Sequence, residues 1–250
     1  MIDLHSHILP GIDDGAAELA DSVEMARQAA EDGIEAVCAT PHIRHDHDVR
    51  IEEIETRVAD LQAELVQRQV ALKVVPGAEV AETALEELEA GELRRVTLGD
   101  GPWVLLEPAP GPLSDSLQAA VRHLAERGYR ALIAHPERHL SGDLPARLAQ
   151  LVSEGALVQV TADYLLQQET APAMLDLARR GLVHVLGSDS HSARFGRPLR
   201  LSAAFETLAE VDLMRPHLDW VANQAPAAIV RGDDVEPPFE PVRGFPREPG

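Results

Sequence analysis

The chain has 250 residues, 45% of them hydrophobic, enough for a sizeable core and within the size of one domain. Its 22 Lys and Arg against 42 Asp and Glu give a formal charge of −20, which repels a phosphate backbone and argues against nucleic acid as a partner. The single cysteine, Cys38, leaves no internal disulfide to form, and neither a bilayer-length apolar run nor a cleavable leader is visible, so a cytoplasmic protein without membrane insertion is expected.

Short apolar runs ending in polar residues alternate with longer helical stretches. The predicted strands are Ile2–Ile8, Ala36–Pro41, Leu72–Glu79, Trp103–Glu107, Ala131–His135, Leu157–Thr161 and Val183–Asp189. Between them, Asp21–Glu31, Ile51–Gln69, Ala84–Leu88, Ser114–Arg127, Pro145–Ser153 and Ala171–Arg180 read as helices, several closed by a glycine such as Gly33, Gly91, Gly128, Gly155 or Gly181. Leu199–Val211 and Arg215–Val230 are expected to be helical as well. Seven strand–helix repeats without a linker fit an α/β barrel of the TIM type better than an open doubly wound sheet. Residues 1–235 form the expected single domain. The tail from 236 to 250 carries five prolines and is expected to be a surface strap or disordered.

Asp3-Leu4-His5-Ser6-His7 closes the first strand, and residues two apart on a strand share a face, so His5 and His7 can grip one ion. Later strands end in further candidate ligands: His42, Glu79, Glu107, His135, and the pair Asp189 and His191. Asp13 and Asp14 in the loop after the first strand offer another carboxylate. Glu107 closes the run Val104-Leu105-Leu106, where an acid is costly to bury unless paired or metal-bound. The convergent donors outnumber what one ion takes, which implies two or three divalent metals. A histidine and carboxylate set without thiolate suits Mn, Fe or Zn.

With these residues in place, the sequence resembles the PHP (polymerase and histidinol phosphatase) superfamily, and within it the bacterial CpsB/YwqE-type tyrosine-protein phosphatases. The resemblance rests first on Asp3-Leu4-His5-Ser6-His7-Ile8-Leu9-Pro10-Gly11-Ile12-Asp13-Asp14-Gly15-Ala16. Thr40-Pro41-His42, Gly77-Ala78-Glu79, Ile133-Ala134-His135-Pro136-Glu137-Arg138 and Ser188-Asp189-Ser190-His191 support it. It implies a distorted (β/α)7 PHP-type barrel holding three metals, frequently manganese, on His5, His7, Asp14, His42, Glu79, Glu107, His135, Asp189 and His191. It also implies phosphate-holding arginines at Arg138 and Arg197. The stretch from His191 to Arg197 is one residue longer than the usual pattern, and Arg194 lies beside it. The implied activity is hydrolysis of phosphotyrosine by metal-activated water, the implied partner an autophosphorylating tyrosine kinase of exopolysaccharide or capsule synthesis.

Three other readings compete. Cys38-Ala39-Thr40-Pro41-His42-Ile43-Arg44 matches the C-x5-R pattern of cysteine phosphatases, but Pro41 lacks an N–H and Cys38 sits inside an apolar strand, so a buried core thiol is expected. An amidohydrolase bridging two metals with a carbamylated lysine is disfavoured, because the only lysine, Lys73, starts its strand. A small-molecule phosphomonoesterase of the histidinol-phosphatase type is the alternative within the resembling superfamily. Among the other histidines, His123, His184 and His217 are expected to be structural. His45, His47 and His139 follow ligand-bearing strands and are placed to touch substrate.

Overall fold

The computed structural model describes residues 1–241. Nine strands run β1 (Ile2–Ser6), β2 (Ala36–Ala39), β3 (His42–Ile43), β4 (Lys73–Pro76), β5 (Glu79–Ala81), β6 (Trp103–Glu107), β7 (Arg130–Ile133), β8 (Leu157–Thr161) and β9 (Val185–Gly187). The helices are α1 (Leu19–Glu31), α2 (Ile54–Gln67), α3 (Ala90–Arg95), α4 (Asp115–Glu126), α5 (Leu144–Ser153), α6 (Ala171–Arg179), α7 (Ser202–Leu208) and α8 (Ala225–Arg231).

All strand pairs are parallel. A lower sheet orders β1-β2-β4, and an upper sheet orders β3-β5-β6-β7-β8-β9. The ring closes where Ser6 bridges Ser190: the His7 N–H donates to the Ser190 carbonyl and the Asp189 N–H to the His5 carbonyl, each at 2.9 Å. The result is the distorted α/β barrel with seven positions round the ring. Two of those positions differ from the sequence reading, because the expected strands Ala36–Pro41 and Leu72–Glu79 each break in two. Pro41 has no N–H to continue the ladder, and Gly77-Ala78 forms the matching break. Pairing resumes one step later with His42 opposite Glu79, so these two residues open strands where they were expected to close them.

Strand alternation divides the core into two layers. Val104, Leu106, Ala131 and Ile133 pack outward against the helices. Leu4, Cys38, Trp103, Leu105, Leu132 and Val185 fill the barrel interior, with Ala225 and Ile229 of α8 packing onto them. Helix α4 shows why the outer layer forms: Leu117, Val121 and Leu124, at spacings of four and three, are buried on one stripe while Asp115 and Arg122 face water.

Several helices differ from the sequence expectation. Ala84–Leu88 supplies only a 3-10 turn at Leu85–Glu87. The helix of that region is α3, where Glu89 and Glu92 form a reciprocal capping box and Gly91 lies inside. Leu199–Val211 contracts to α7. Arg215–Val230 divides into a 3-10 turn, a π turn at Trp220–Gln224 and α8, which starts beside Pro226. In the tail, Phe239 is 8% exposed and packs against His184, His217 and Trp220, so residues 236–241 lie along the body as a strap. The remainder of the predicted tail, 242–250, lies outside the described residues.

Candidate metal centre

The C-terminal ends of the strands gather nine side chains that the sequence singled out. His5 and His7 leave the end of β1 with their Nε2 atoms 3.2 Å apart. Glu79 is at the centre. Its Oε2 lies 3.3 Å from the Nε2 of both His5 and His7 and 3.0 Å from His42 Nδ1, and its Oε1 lies 2.6 Å from His135 Nε2. Asp189 Oδ1 faces His5 Nε2 at 3.5 Å and His191 Nδ1 at 3.5 Å. Glu107 is the third inward residue of β6 after Trp103 and Leu105, which carries its carboxylate to within 4.0 Å of His42 Nδ1.

Two of these residues need unusual backbone. His135 has the outward parity of Ala131 and Ile133, but its φ of +34° breaks the alternation and turns it inward. Asp189 also adopts a left-handed conformation, φ +49°. Gly187 makes room for the centre, since a Cβ there would stand 2.9 Å from His5 Cβ.

Asp13 and Asp14 divide the work that the sequence left open between them. The Asp13 side chain is fully buried. Its Oδ2 bonds His7 Nδ1 at 2.8 Å and accepts the His42 N–H at 3.1 Å, while Oδ1 accepts the Gly15 N–H at 3.0 Å. It therefore orients His7 from behind. Asp14, with its side chain 57% exposed, places Oδ1 3.4 Å from His42 Nε2 and 3.5 Å from His191 Nε2, on the open side of the cluster.

Charge is unevenly held. Burial pushes the Glu79 carboxyl up, but the rings of His5 and His135 override it and hold it well below the usual carboxylate range. Burial works against a charged His7, yet the hydrogen bonds that its ring donates to Asp13 and Glu79 raise it to about 10. Asp13 falls to about 2 through His7 despite its own burial. Burial lowers His135 and His191 to about 4 each, helped at His191 by repulsion from His7. Glu107 is raised by burial and by the charge of Glu79.

Four overlapping groups of donors arise, each with its atoms within 4.8 Å: His7, Asp14, His42 and His191; His5, His135 and Asp189; His5, His7 and Glu79; His42, Glu79 and Glu107. Within them Glu79 Oε2, Asp189 Oδ1 and His42 Nδ1 are buried without a hydrogen-bond partner, although the last lies near Glu79. Convergent lone pairs left unsatisfied in a dry site are costly. A divalent cation satisfies them, so the residues present fit metal ions, and the thiolate-free donor set matches Mn, Fe or Zn.

Arg138 and Arg197 both reach this cluster. Their guanidinium groups donate to Asp189 Oδ2 at 2.5 and 3.0 Å, and each is partly open to solvent. Arg197 also donates from Nε to the Asp189 carbonyl, whereas Arg194 is exposed and makes no ion pair with the cluster among the described residues.

A family model described as capsular polysaccharide synthesis, CpsB/CapC, matches residues 1–212. The chain belongs to the CpsB/CapC family. Among its relatives, the tyrosine-protein phosphatase YwqE of Bacillus subtilis is 33% identical over 201 residues, 78% of each chain. The tyrosine-protein phosphatase CpsB of Streptococcus pneumoniae is 28% identical over 225 residues, 84% of this chain and 90% of the relative. A crystal structure from work on YwqE of Bacillus subtilis and CpsB of Streptococcus pneumoniae, described as metal-dependent tyrosine phosphatases, superposes with a TM-score of 0.84 at 30% identity. It covers 98% of this chain and 100% of the other. Histidinol phosphate phosphatase from Lactococcus lactis shares the fold, with a TM-score of 0.54 at 15% identity over 84% of this chain and 92% of the other.

In this CpsB/CapC-family protein Cys38 lies in the barrel interior, fully buried, its thiol pushed up by burial and then by Asp3. It is far from the thiolate that a cysteine phosphatase requires. Lys73 is exposed at the start of β4, the end opposite the cluster. His47 stacks on His42 with ring centroids 4.9 Å apart, and His45 is largely exposed near the Thr83 carbonyl. His139 is buried and bonds the Gly111 carbonyl, so it is engaged within the loops. Sequence reasoning missed Gln159, whose Oε1 bonds His5 Nδ1 at 2.9 Å and fixes that ring from behind. The signal available was a glutamine set within the apolar strand run Leu157-Val158-Gln159-Val160-Thr161. Arg44, which ends the C-x5-R match, donates to Glu107 at 3.3 Å and to Asp46.

No helix among the described residues is long and apolar enough to cross a membrane.

Proposed function

We propose that this chain is a metal-dependent protein-tyrosine phosphatase in which His5, His7, Asp14, His42, Glu79, Glu107, His135, Asp189 and His191 hold two to three divalent ions. Manganese is our first choice, ahead of iron or zinc. Arg138 and Arg197 are the phosphate-holding arginines, and residues 1–235 are read as the catalytic domain with residues 236–241 as its strap. The observation that carries this reading is the convergence of four donor groups around Glu79, with two guanidinium groups at their edge.

Bound there, the ions would supply Lewis acidity toward water and toward phosphate oxygens. The chain's own residues do the rest. Asp13 and Gln159 fix the rings of His7 and His5, so the inward nitrogens keep one orientation. Arg138 and Arg197, which both offset the charge of Asp189, are partly exposed and keep further N–H donors for charge-assisted bonds to a phosphate monoester. Arg44 holds Glu107 from the other side.

The family's link to capsular polysaccharide synthesis supports a cytoplasmic tyrosine autokinase of capsule or exopolysaccharide synthesis as the protein substrate. The test is stripping with a chelator, reconstitution with Mn, Fe or Zn, and assay on a phosphotyrosine peptide beside histidinol phosphate. Metal-restored peptide hydrolysis, retained in Cys38→Ala, is expected. A preference for histidinol phosphate would move the assignment to a small-molecule phosphomonoesterase. Activity that survives chelation and dies with Cys38 would end the metal reading.

A further inference from the structure

A cleft lies at the other end of the barrel. The loops that lead into β6 and β7 border this cleft of about 810 Å³, whose lining includes Arg94, Arg95, Arg127 and Arg231. The carboxylates in that lining are Glu55 and Asp100. A local excess of positive charge in a chain of formal charge −20 is the first observation.

The second is how these arginines are occupied. Many arginines elsewhere on the surface are ion-paired at short range, as Arg57 is with Glu53 and Arg122 with Glu154. Among the described residues, Arg94 and Arg95 have neither an acidic partner nor a side-chain hydrogen bond. Arg127 donates to the Leu88 carbonyl and lies 3.4 Å from His123 Nε2, with no acidic partner among the described residues, whereas Arg231 is paired with Asp233 at 2.8 Å, so the free charge of the cleft rests on Arg94, Arg95 and Arg127. The remaining wall is glycine backbone, Thr97, Pro76, Pro102 and Tyr129. Few apolar side chains face the space, which disfavours a lipid tail or an apolar peptide. Its volume suits a small ligand, and guanidinium forks match the paired oxygens of phosphate.

We propose that this cleft binds an oligophosphate, either free or carried by a nucleotide, at a site separate from the metal centre by the length of the barrel strands. Gly101-Pro102 runs into β6, which ends at Glu107, and Gly128-Tyr129 runs into β7, which ends next to His135, so the two sites occupy opposite ends of the same strands. The proposal does not depend on the phosphatase reading.

Calorimetric titration of the full-length, chelator-treated protein with tripolyphosphate, and separately with ATP, tests it. One saturable equivalent is expected, weakening as salt rises. The R94S/R95S double variant and R127A should each weaken it about tenfold or more, as loss of charge-assisted bonds does. R138A, at the metal centre, should leave it unchanged. R94S/R95S should keep its melting temperature and its phosphoester turnover, which shows that it is folded. Equal affinity for the two probes points to the phosphate chain alone, and tighter ATP binding to a nucleotide; both support the site. Absence of saturable binding at millimolar probe, wild-type affinity in R94S/R95S, loss of binding in R138A, or equally tight binding of hexaglutamate would each overturn it.

Discussion

Asp13→Asn and Asp14→Asn should separate two adjacent carboxylates that look interchangeable in sequence. Asp13 is buried and accepts from His7, His42 and Gly15. An amide in its place keeps one acceptor oxygen and puts a donor in the other position, so it opposes the Gly15 N–H in one orientation and the two bonds to Oδ2 in the other. The Asp13 carboxyl is lowered from 3.8 to about 2, which at about 1.4 kcal/mol per unit corresponds to about 2 kcal/mol of stability at neutral pH. The rise of His7 to about 10 is partly the same interaction seen from its partner, with Glu79 adding to it, so the smaller shift of Asp13 sets the magnitude. Because the carboxyl is depressed in the folded state, its contribution is present above about pH 4 and fades as pH falls toward 2. Urea unfolding of the metal-free proteins should therefore show D13N less stable at pH 7, by a margin that narrows in acid. Its metal affinity should fall about 10- to 100-fold, as for an outer-shell partner of a ligand. D14N, altered at a largely exposed side chain, should unfold like the wild type and lose metal affinity only. Wild-type stability in D13N, or a larger stability loss in D14N, would refute this division of roles.

Arg138→Ala and Arg197→Ala should each lower kcat about 10²- to 10³-fold, the cost of removing a preorganised donor, and Arg138→Lys should recover little because a point charge does not replace the fork. Arg194→Ala should stay within a few-fold in the same assay. Metal loading should release protons, because His7 is held charged up to about 10 and must become neutral to ligate. Affinity should then rise between pH 6 and 8, and calorimetric enthalpy should vary with the buffer's ionisation enthalpy; an invariant enthalpy contradicts this. In the metal-free protein the raised pKa of His7 contributes stability that is fully present below about 6.5 and lost as pH rises through about 10. Phe239→Ala should cost about 3 kcal/mol in urea unfolding by removing the ring that pins the strap to His184, His217 and Trp220.

Most of the barrel was legible because its signals are local. Alternating apolar runs ending in His, Asp or Glu need only period-two geometry to place Glu107 inside. The splits at Pro41 and Gly77 were less visible. A strand's end depends on which neighbour it pairs with, and β2 pairs in the lower ring while β3 pairs in the upper. The helix α3 was missed because Gly91 reads as a stop, whereas its capping box lies between two glutamates of low contrast in an acidic chain. At the site, the spacing of His5 and His7 was enough to bring them together, whereas Gln159 stood out only as a polar residue within an apolar run and its partner was not recoverable. Its partner His5 is 154 residues away, and a glutamine carries no signature of what it touches.

The left-handed backbone at His135 and Asp189 bears on what substitutions each position tolerates. Glycine or asparagine would relieve the conformation, at about 1 kcal/mol per residue, but neither offers the imidazole or carboxylate that faces Glu79 and the histidines. A residue with the right donor must accept an awkward backbone, and a residue at ease with that backbone lacks the donor. Both positions are thus constrained twice, by main chain and by side chain, and single substitutions should find no neutral exit. A library selected for folding alone should drift toward glycine and asparagine there, and one selected for turnover should not.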